Sequence, residues 1–251
     1  MKKFLKILLL ALAILPIGSV LTLVLVGSMN GGASSNGGAT STKKDVDFST
    51  LSYVAFGDSI TYGADYTRNY GQMDDPYPEL VAEELGLASY ENRGISGATF
   101  CQNNVGRVCM TDNILAYKGD ADIISVMLGV NDYAASLPLG DINDNTTDTI
   151  YGCLNLIAKH LTTNHKDAFV FFMTPYQTTI RKSNQYTLSD VAKAVKKVAN
   201  LYDIPVLDMY SLGNYALEMN QEDSDGVHPS QEFIAEYTAP QIAEFLRRNY
   251  E

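Results

Sequence analysis

The chain has no tryptophan, and only three histidines and three cysteines among its 251 residues. No cluster of His, Cys and carboxylate residues has metal-ligand spacing, which argues against a zinc-type site, and no cofactor is expected. Without Trp, any stacking on sugar rings falls to the 16 tyrosines, which weakens a sugar-binding reading. Basic residues are also scarce. The net charge is −11, and no acidic residue precedes Asp45. Setting aside the five lysines before that point leaves 13 basic against 29 acidic residues over 45–251, a net of −16. Such a surface repels nucleic acid and anionic headgroups. No nucleic-acid partner is expected, and the acidity itself needs no explanation beyond solubility.

Charge is missing altogether from Ile7 to Val26, a run of 20 residues preceded by Lys2, Lys3 and Lys6. The run is long enough to cross a bilayer as one helix and is also compatible with a secretory signal. No clear small-x-small cleavage site comes after it, Val26-Gly27-Ser28 being a poor candidate. No cysteine comes after it either, which excludes a lipoprotein anchor. Residues 1–26 are expected to be a signal peptide or an N-terminal membrane anchor, and an uncleaved anchor fits better. The lysines keep that end in the cytoplasm and place the rest of the chain outside it, anchored or secreted. Residues 27–46, rich in Gly, Ser and Asn, read as a flexible linker. A folded domain over 47–251 is expected, monomeric and meeting the membrane through the N-terminal segment only.

Chemistry enters with Tyr53-Val54-Ala55-Phe56-Gly57-Asp58-Ser59-Ile60-Thr61. An apolar run that stops at Gly-Asp-Ser puts Ser59 on the turn after a strand. A serine hydroxyl needs a base in contact, and the base needs an orienting carboxylate. Asp225-Gly226-Val227-His228 supplies both, three apart and able to reach each other across one turn. Either segment alone is also an ordinary turn or cap. Two further segments join them. Asn92-Arg93-Gly94-Ile95-Ser96-Gly97-Ala98-Thr99 comes after a second candidate strand, and Leu128-Gly129-Val130-Asn131-Asp132 ends a third.

Together, and in this order, the four segments resemble the conserved blocks of the SGNH hydrolases, also called the GDSL esterase/lipase family. The resemblance covers roughly residues 50–250. Ile60 stands where the family usually has Leu, a volume-conserving exchange. The resemblance implies that Ser59 is the nucleophile, His228 the general base and Asp225 its orienting carboxylate. It implies an oxyanion hole made by Ser59 N–H, Gly97 N–H and the Asn131 amide. Gly94 is a rival to Gly97, but Gly97 matches the family's Asn-x-x-x-Ser-Gly register. A Gly-x-Ser-x-Gly elbow is absent, since Thr61 stands at the second glycine, and this argues against an α/β-hydrolase.

Strand-like and helical runs alternate. Strands are expected at Leu51–Phe56, Ser89–Asn92, Ile123–Leu128, Ala168–Met173 and Pro205–Met209. Helices are expected from Asp75-Pro76 to Gly86, from about Thr146 to Leu161, after a capping box at Thr187-x-x-Asp190, and from Ser230 to Arg248 with a break near Pro240. This alternation implies an α/β fold, a parallel sheet covered on both faces. The resemblance implies a three-layer α/β/α arrangement of five parallel strands in the flavodoxin-like order 2-1-3-4-5. Cys101 and Cys109 flank a short loop and are a candidate disulfide outside the cytoplasm; Cys153 reads as core. Tyr62, Tyr66, Tyr70 and Tyr133 lie beside the blocks, and Tyr176 comes after a strand. Of these, Tyr62, Tyr133 and Tyr176 are taken as candidate substrate-binding residues.

The resemblance implies an extracytoplasmic serine esterase or lipase acting on short-chain acyl or acetyl esters of glycans or lipids. Lysophospholipase or thioesterase specificity is an alternative. A surface binding module on an inactive scaffold is another, and loss of Ser59, Asn131 or His228 would signal it.

Overall fold

Both faces of every central strand are apolar because both are covered. In β1 (Ser52–Gly57), Val54 and Phe56 point into one core layer while Tyr53 and Ala55 point into the other, as the period-2 pleat requires. The computed structural model describes residues 46–250; the expected leader and all but the last residue of the expected linker lie outside the described residues. After β1 come β2 (Ala64–Asp65), β3 (Gly71–Gln72), β4 (Ser89–Gly94), β5 (Ile123–Met127), β6 (Phe169–Met173) and β7 (Val206–Leu207). The helices are α1 (Ser59–Tyr62), α2 (Tyr77–Leu85), α3 (Met110–Ala116), α4 (Val130–Ala134), α5 (Ile150–Asn164), α6 (Leu188–Leu201), α7 (Asn214–Met219), α8 (Gln231–Phe233) and α9 (Ala239–Asn249).

Five strands form one parallel sheet in the order β4-β1-β5-β6-β7. Counted along the chain this is second, first, third, fourth, fifth, the order implied by the family resemblance. α3, α5 and α6 cover one face through Ile114, Leu154, Ile157, Val191, Val195 and Val198. α2, α7 and α9 cover the other through Tyr77, Val81, Tyr215, Ile242 and Leu246. Each fully buried aliphatic side chain contributes about 1.5–3 kcal/mol by leaving water.

Local signals set most helix ends. Thr187 and Asp190 exchange side-chain and backbone hydrogen bonds in a capping box that starts α6. Gly86, at φ +66°, ends α2. α2 begins one residue later than its proline suggested: Pro76 is the cap, and Pro78 lies in the first turn. α5 begins at Ile150 because Thr149 caps it, accepting from Gly152 N–H, so residues 146–149 are loop. The last helix does not break at Pro240. A wide π turn over Ile234–Thr238 comes just before it, so the proline, which has no N–H to give, joins a continuing helix.

β4 and α1 meet with almost no space between them. A Cβ on Gly94 would stand 2.1 Å from Tyr62 N and 2.6 Å from Thr61 C, both backbone atoms that cannot move aside. Gly94→Ala should therefore destabilise by about 3 kcal/mol or more. Gly86→Ala meets open space and only the left-handed penalty, about 1–2 kcal/mol. Urea denaturation of the two variants checks the contrast; equal losses would show that the β4–α1 contact can relax.

Candidate active site

Ser59, Gly97 and Asn131 come after β1, β4 and β5, at the carboxyl edge of the sheet, where open α/β sheets place their sites. Asp58 sets the first. Its Oδ1 accepts from Ile60 N–H at 3.0 Å, starting α1 and presenting Ser59 at the first helical position. Gly57 must be glycine, because a Cβ there would lie 1.9 Å from Thr61 Oγ1.

His228 comes from the far end of the chain. Asp225 folds its own turn: Oδ1 accepts from both Val227 N–H and His228 N–H at 2.8 Å. Its Oδ2 meets His228 Nδ1 at 2.7 Å, and His228 Nε2 meets Ser59 Oγ at 2.9 Å. Neighbours fix this turn. Tyr176 Oη donates to Val227 O, Thr179 N–H donates to Gly226 O, and buried Glu218 accepts from Ser230 N–H and Oγ. Burial pushes the Asp225 carboxyl up, but the hydrogen bonds from His228 and Val227 outweigh it and hold the group below the usual carboxylate range.

Gly97 sits at φ +79°, and among the described residues no acceptor takes its N–H. Asn131 Nδ2 donates to Ala98 O at 3.0 Å and lies 3.4 Å from Asp58 Oδ2. One cation joins the two loops: Arg107 Nη1 donates to Asn131 Oδ1 at 2.7 Å and to Gly97 O at 3.2 Å. Beneath them lies Asp132, fully buried, whose two oxygens accept from Phe100 and Cys101 N–H. That carboxylate ties the loop after β4 to the segment after β5. Gly94 serves the β4–α1 contact, and its N–H is taken by Asn92 Oδ1 at 2.9 Å.

Several expectations need correction. Tyr133 is buried; its Oη accepts from Lys182 N–H, and its ring packs edge-on against Tyr186. Tyr176 is buried and stacks on Tyr215 at 4.3 Å. Neither ring is at the surface to meet a substrate. Tyr62 remains a candidate: it is half-buried at the end of α1, and its carbonyl accepts from Gln72. Cys101 and Cys109 are free thiols: Cys109 Sγ donates to Phe100 O at 3.1 Å, whereas Cys101 is buried beside the Cys153 thiol. Sequence reasoning missed Arg107 and Asp132. Asp132 was inside a quoted block, and its signal was a charged residue directly after an apolar strand. Arg107 had none beyond being the one cation in the 102–108 loop.

A parallel sheet with a hydrogen-bonded Ser–His–Asp chain at its carboxyl edge defines a hydrolase of the serine type. The sequence matches the GDSL-like Lipase/Acylhydrolase family over residues 55–233, most of the chain. The chain belongs to that family and is a serine ester hydrolase. No curated protein matches it. Solved structures share the fold. One is a protein from Lactobacillus plantarum, at 24% identity and TM-score 0.66, covering 80% of this chain and 99% of that one. Another is an aryl esterase from M. smegmatis, at 18% and 0.58, covering 79% and 99%. A third is a carbohydrate acetylesterase family member from Sinorhizobium meliloti, at 18% and 0.57, covering 79% and 98%.

Two buried carboxyls have a measurable consequence. Burial pushes Asp58 up to about 7, offset in part by the Ile60 N–H, and pushes Asp132 up to about 6, offset by the Phe100 and Cys101 N–H groups. Both titrate near 3.9 when unfolded. Between about pH 4 and 7 the folded state binds more protons, so this contribution to stability is full below that window and is lost as pH rises through it. Asp58→Asn should flatten the fall in melting temperature between pH 5 and 8. Melting curves with the wild-type pH slope would show that Asp58 ionises as an ordinary carboxylate.

Proposed function

We propose that Ser59, His228 and Asp225 are the catalytic triad and that Ser59 N–H, Gly97 N–H and Asn131 Nδ2 form the oxyanion hole. The observation that carries this is the unbroken chain Ser59 Oγ–His228 Nε2, 2.9 Å, and His228 Nδ1–Asp225 Oδ2, 2.7 Å. In this reading Ser59 attacks the ester carbonyl while His228 takes its proton. Asp225 stabilises the imidazolium and holds it in place. His228 then protonates the departing alcohol. Water repeats the cycle on the acyl-enzyme and releases the acid.

The Asn131 amide carries one proton to Ala98 O and holds the other only loosely, 3.4 Å from Asp58. That loosely held proton is the one offered to the oxyanion. Arg107 acts through Asn131 as a positioning residue, fixing which end of the amide is nitrogen. A carboxyl at Asp58 that stays protonated towards neutral pH keeps negative charge away from the place where the oxyanion forms.

The substrates proposed are short-chain acyl or acetyl esters of glycans or lipids. Similarity in fold to a carbohydrate acetylesterase family member supports acetyl groups. A fluorophosphonate probe should label the purified full chain once. Ser59→Ala should lose both the label and hydrolysis of a chromogenic acetyl ester, and retained labelling would remove Ser59 from the mechanism. Asn131→Ala should lower kcat roughly 10²–10³-fold with little change in melting temperature. Arg107→Ala should cost less, and the double variant no more than Asn131→Ala alone. Strictly additive losses would mean that Arg107 acts independently of Asn131.

The proposed location is outside the cytoplasm, on the membrane or released from it. Three lysines, 20 uncharged residues and a polar stretch support this reading. Fractionated cells making the full chain should keep it with membranes after a salt wash, and external protease should release active enzyme. Activity confined to the cytosol and protected from protease would reverse the assignment.

A further inference from the structure

The tyrosine that meets the triad is none of the three taken as candidate substrate-binding residues. Tyr70 is 53% exposed, and its ring stands 5.5 Å from the His228 imidazole, edge-on at 65°. Its backbone is strained. Asn69 and Tyr70 both lie in the left-handed region, at φ 54° and 60°, which is costly for an aromatic residue. Such a conformation persists only where its surroundings impose it, and here they do. β2 and β3 pair as an antiparallel hairpin around the loop, and Tyr70 N–H donates to Asp65 O. Asp65 also caps Thr67, while Arg68 clamps Asp74 through two hydrogen bonds of 2.7–2.8 Å. The loop is built to hold an exposed ring against the triad histidine.

The side of the site is set by the chemistry. His228 Nε2 must reach both Ser59 Oγ and the oxygen of the departing alcohol, so a ring beside His228 flanks the alcohol. Arg107 lies with Gly97 and Asn131 on the opposite, oxyanion side. Charge on the alcohol side is negative. Asp223, exposed, and Asp225, half-buried, both act on the Tyr66 phenol in the same loop, whereas Asp65 and Glu218 are buried and already bonded to Thr67 and Ser230. The loop's own cation, Arg68, is paired with Asp74 and Asp65. Asp223 is exposed, and a carboxylate there can only accept hydrogen bonds, which hydroxyl groups supply.

Resting on the triad reading above, we infer that Tyr70 and the acidic rim beside it form a leaving-group subsite. It takes an uncharged, ring-bearing alcohol that presents a flat apolar face and hydroxyl groups, such as a sugar, and turns away phosphate-bearing alcohols. The ring face packs on Tyr70 and a hydroxyl meets Asp223. A phosphate would meet the Asp223 charge, the loop's cation Arg68 being already paired with Asp65 and Asp74.

The test uses the purified full chain and three acetates with the same acyl group: an O-acetylated methyl pyranoside, the same sugar carrying a phosphate, and ethyl acetate. Acetate release is measured by titration. The wild type should prefer the neutral pyranoside, and added salt should narrow its margin over the phosphorylated sugar. Tyr70→Ala and Tyr70→Gly should each lower kcat/KM for the pyranoside about three- to tenfold more than for ethyl acetate, the scale of one ring contact. Tyr70→Phe should retain the preference. Alanine keeps the strain and glycine relieves it, so matching losses assign the effect to the ring. Equal losses on all three acetates, no loss at all, or a wild-type preference for the phosphorylated sugar would overturn the subsite. Full activity of Ser59→Ala would instead overturn the triad reading on which it rests.

Discussion

The hydrogen bond between Ser59 Oγ and His228 Nε2 joins residues 169 positions apart, and it must be held to within a few tenths of an ångström. Each end is held separately. Ser59 is fixed by a strand paired on both sides, by the Asp58 cap and by the backbone contact that only glycine at 94 allows. His228 is fixed by a turn that closes on its own Asp225 and is bound to its surroundings by Tyr176, Thr179 and Glu218. Packing at native density makes the distance between the two ends a property of the core rather than of either loop. Tyr176 shows this: its ring is buried in the layer beneath the sheet, while its hydroxyl holds the carbonyl next to His228.

Carboxylates do much of the internal bracing, and backbone amides rather than cations satisfy them. Asp132 accepts from two N–H groups, Asp225 from two, and Asp58 from one. A buried carboxyl is tolerable when hydrogen-bonded. Depth of burial, more than the number of amide donors, then separates their behaviour, and Asp132 with two amides still rises to about 6. Asp225, less deeply buried and bonded to the imidazole as well, stays low. Asp58, deeper and with one amide, rises to about 7. Three carboxyls close to one serine therefore need not carry three charges, which suits a site that must accept a new negative oxygen.

The sequence made the sheet legible because strands buried on both faces leave unbroken apolar runs, and Ile123–Met127 and Phe169–Met173 stand where those runs predicted. The Thr187 capping box and the Gly86 stop are local devices that need no tertiary information. Proximity of Asp225 to His228 was legible for the same reason. What tertiary packing decides was not. Tyr133 and Tyr176 stood beside the right segments, but a tyrosine serves equally as a core ring with a hydroxyl tether. Cys101 and Cys109 had plausible loop spacing, yet pairing depends on side-chain direction, and these two thiols point to different partners. The β2–β3 hairpin has two-residue strands, too short to leave any periodic signal.

That hairpin carries the last consequence of the architecture. It is inserted between α1 and α2, outside all four sequence blocks, and its pairing, its ion pair and its strained turn are all internal to residues 64–74. The groups proposed for acyl transfer stand on strand ends and a braced turn, where movement would cost the alignment of Ser59 and His228. The strands of the hairpin are tied to α1, where Gln72 Nε2 donates to Tyr62 O and Met73 N–H to Gly63 O, but the ring that faces the alcohol stands on its exposed turn. Rigid sheet edges suit bond-making groups, and a self-contained surface loop suits recognition. A change confined to the exposed turn 67–70 can therefore alter which alcohol is accepted and leave the nucleophile, its base and the oxyanion donors where they are.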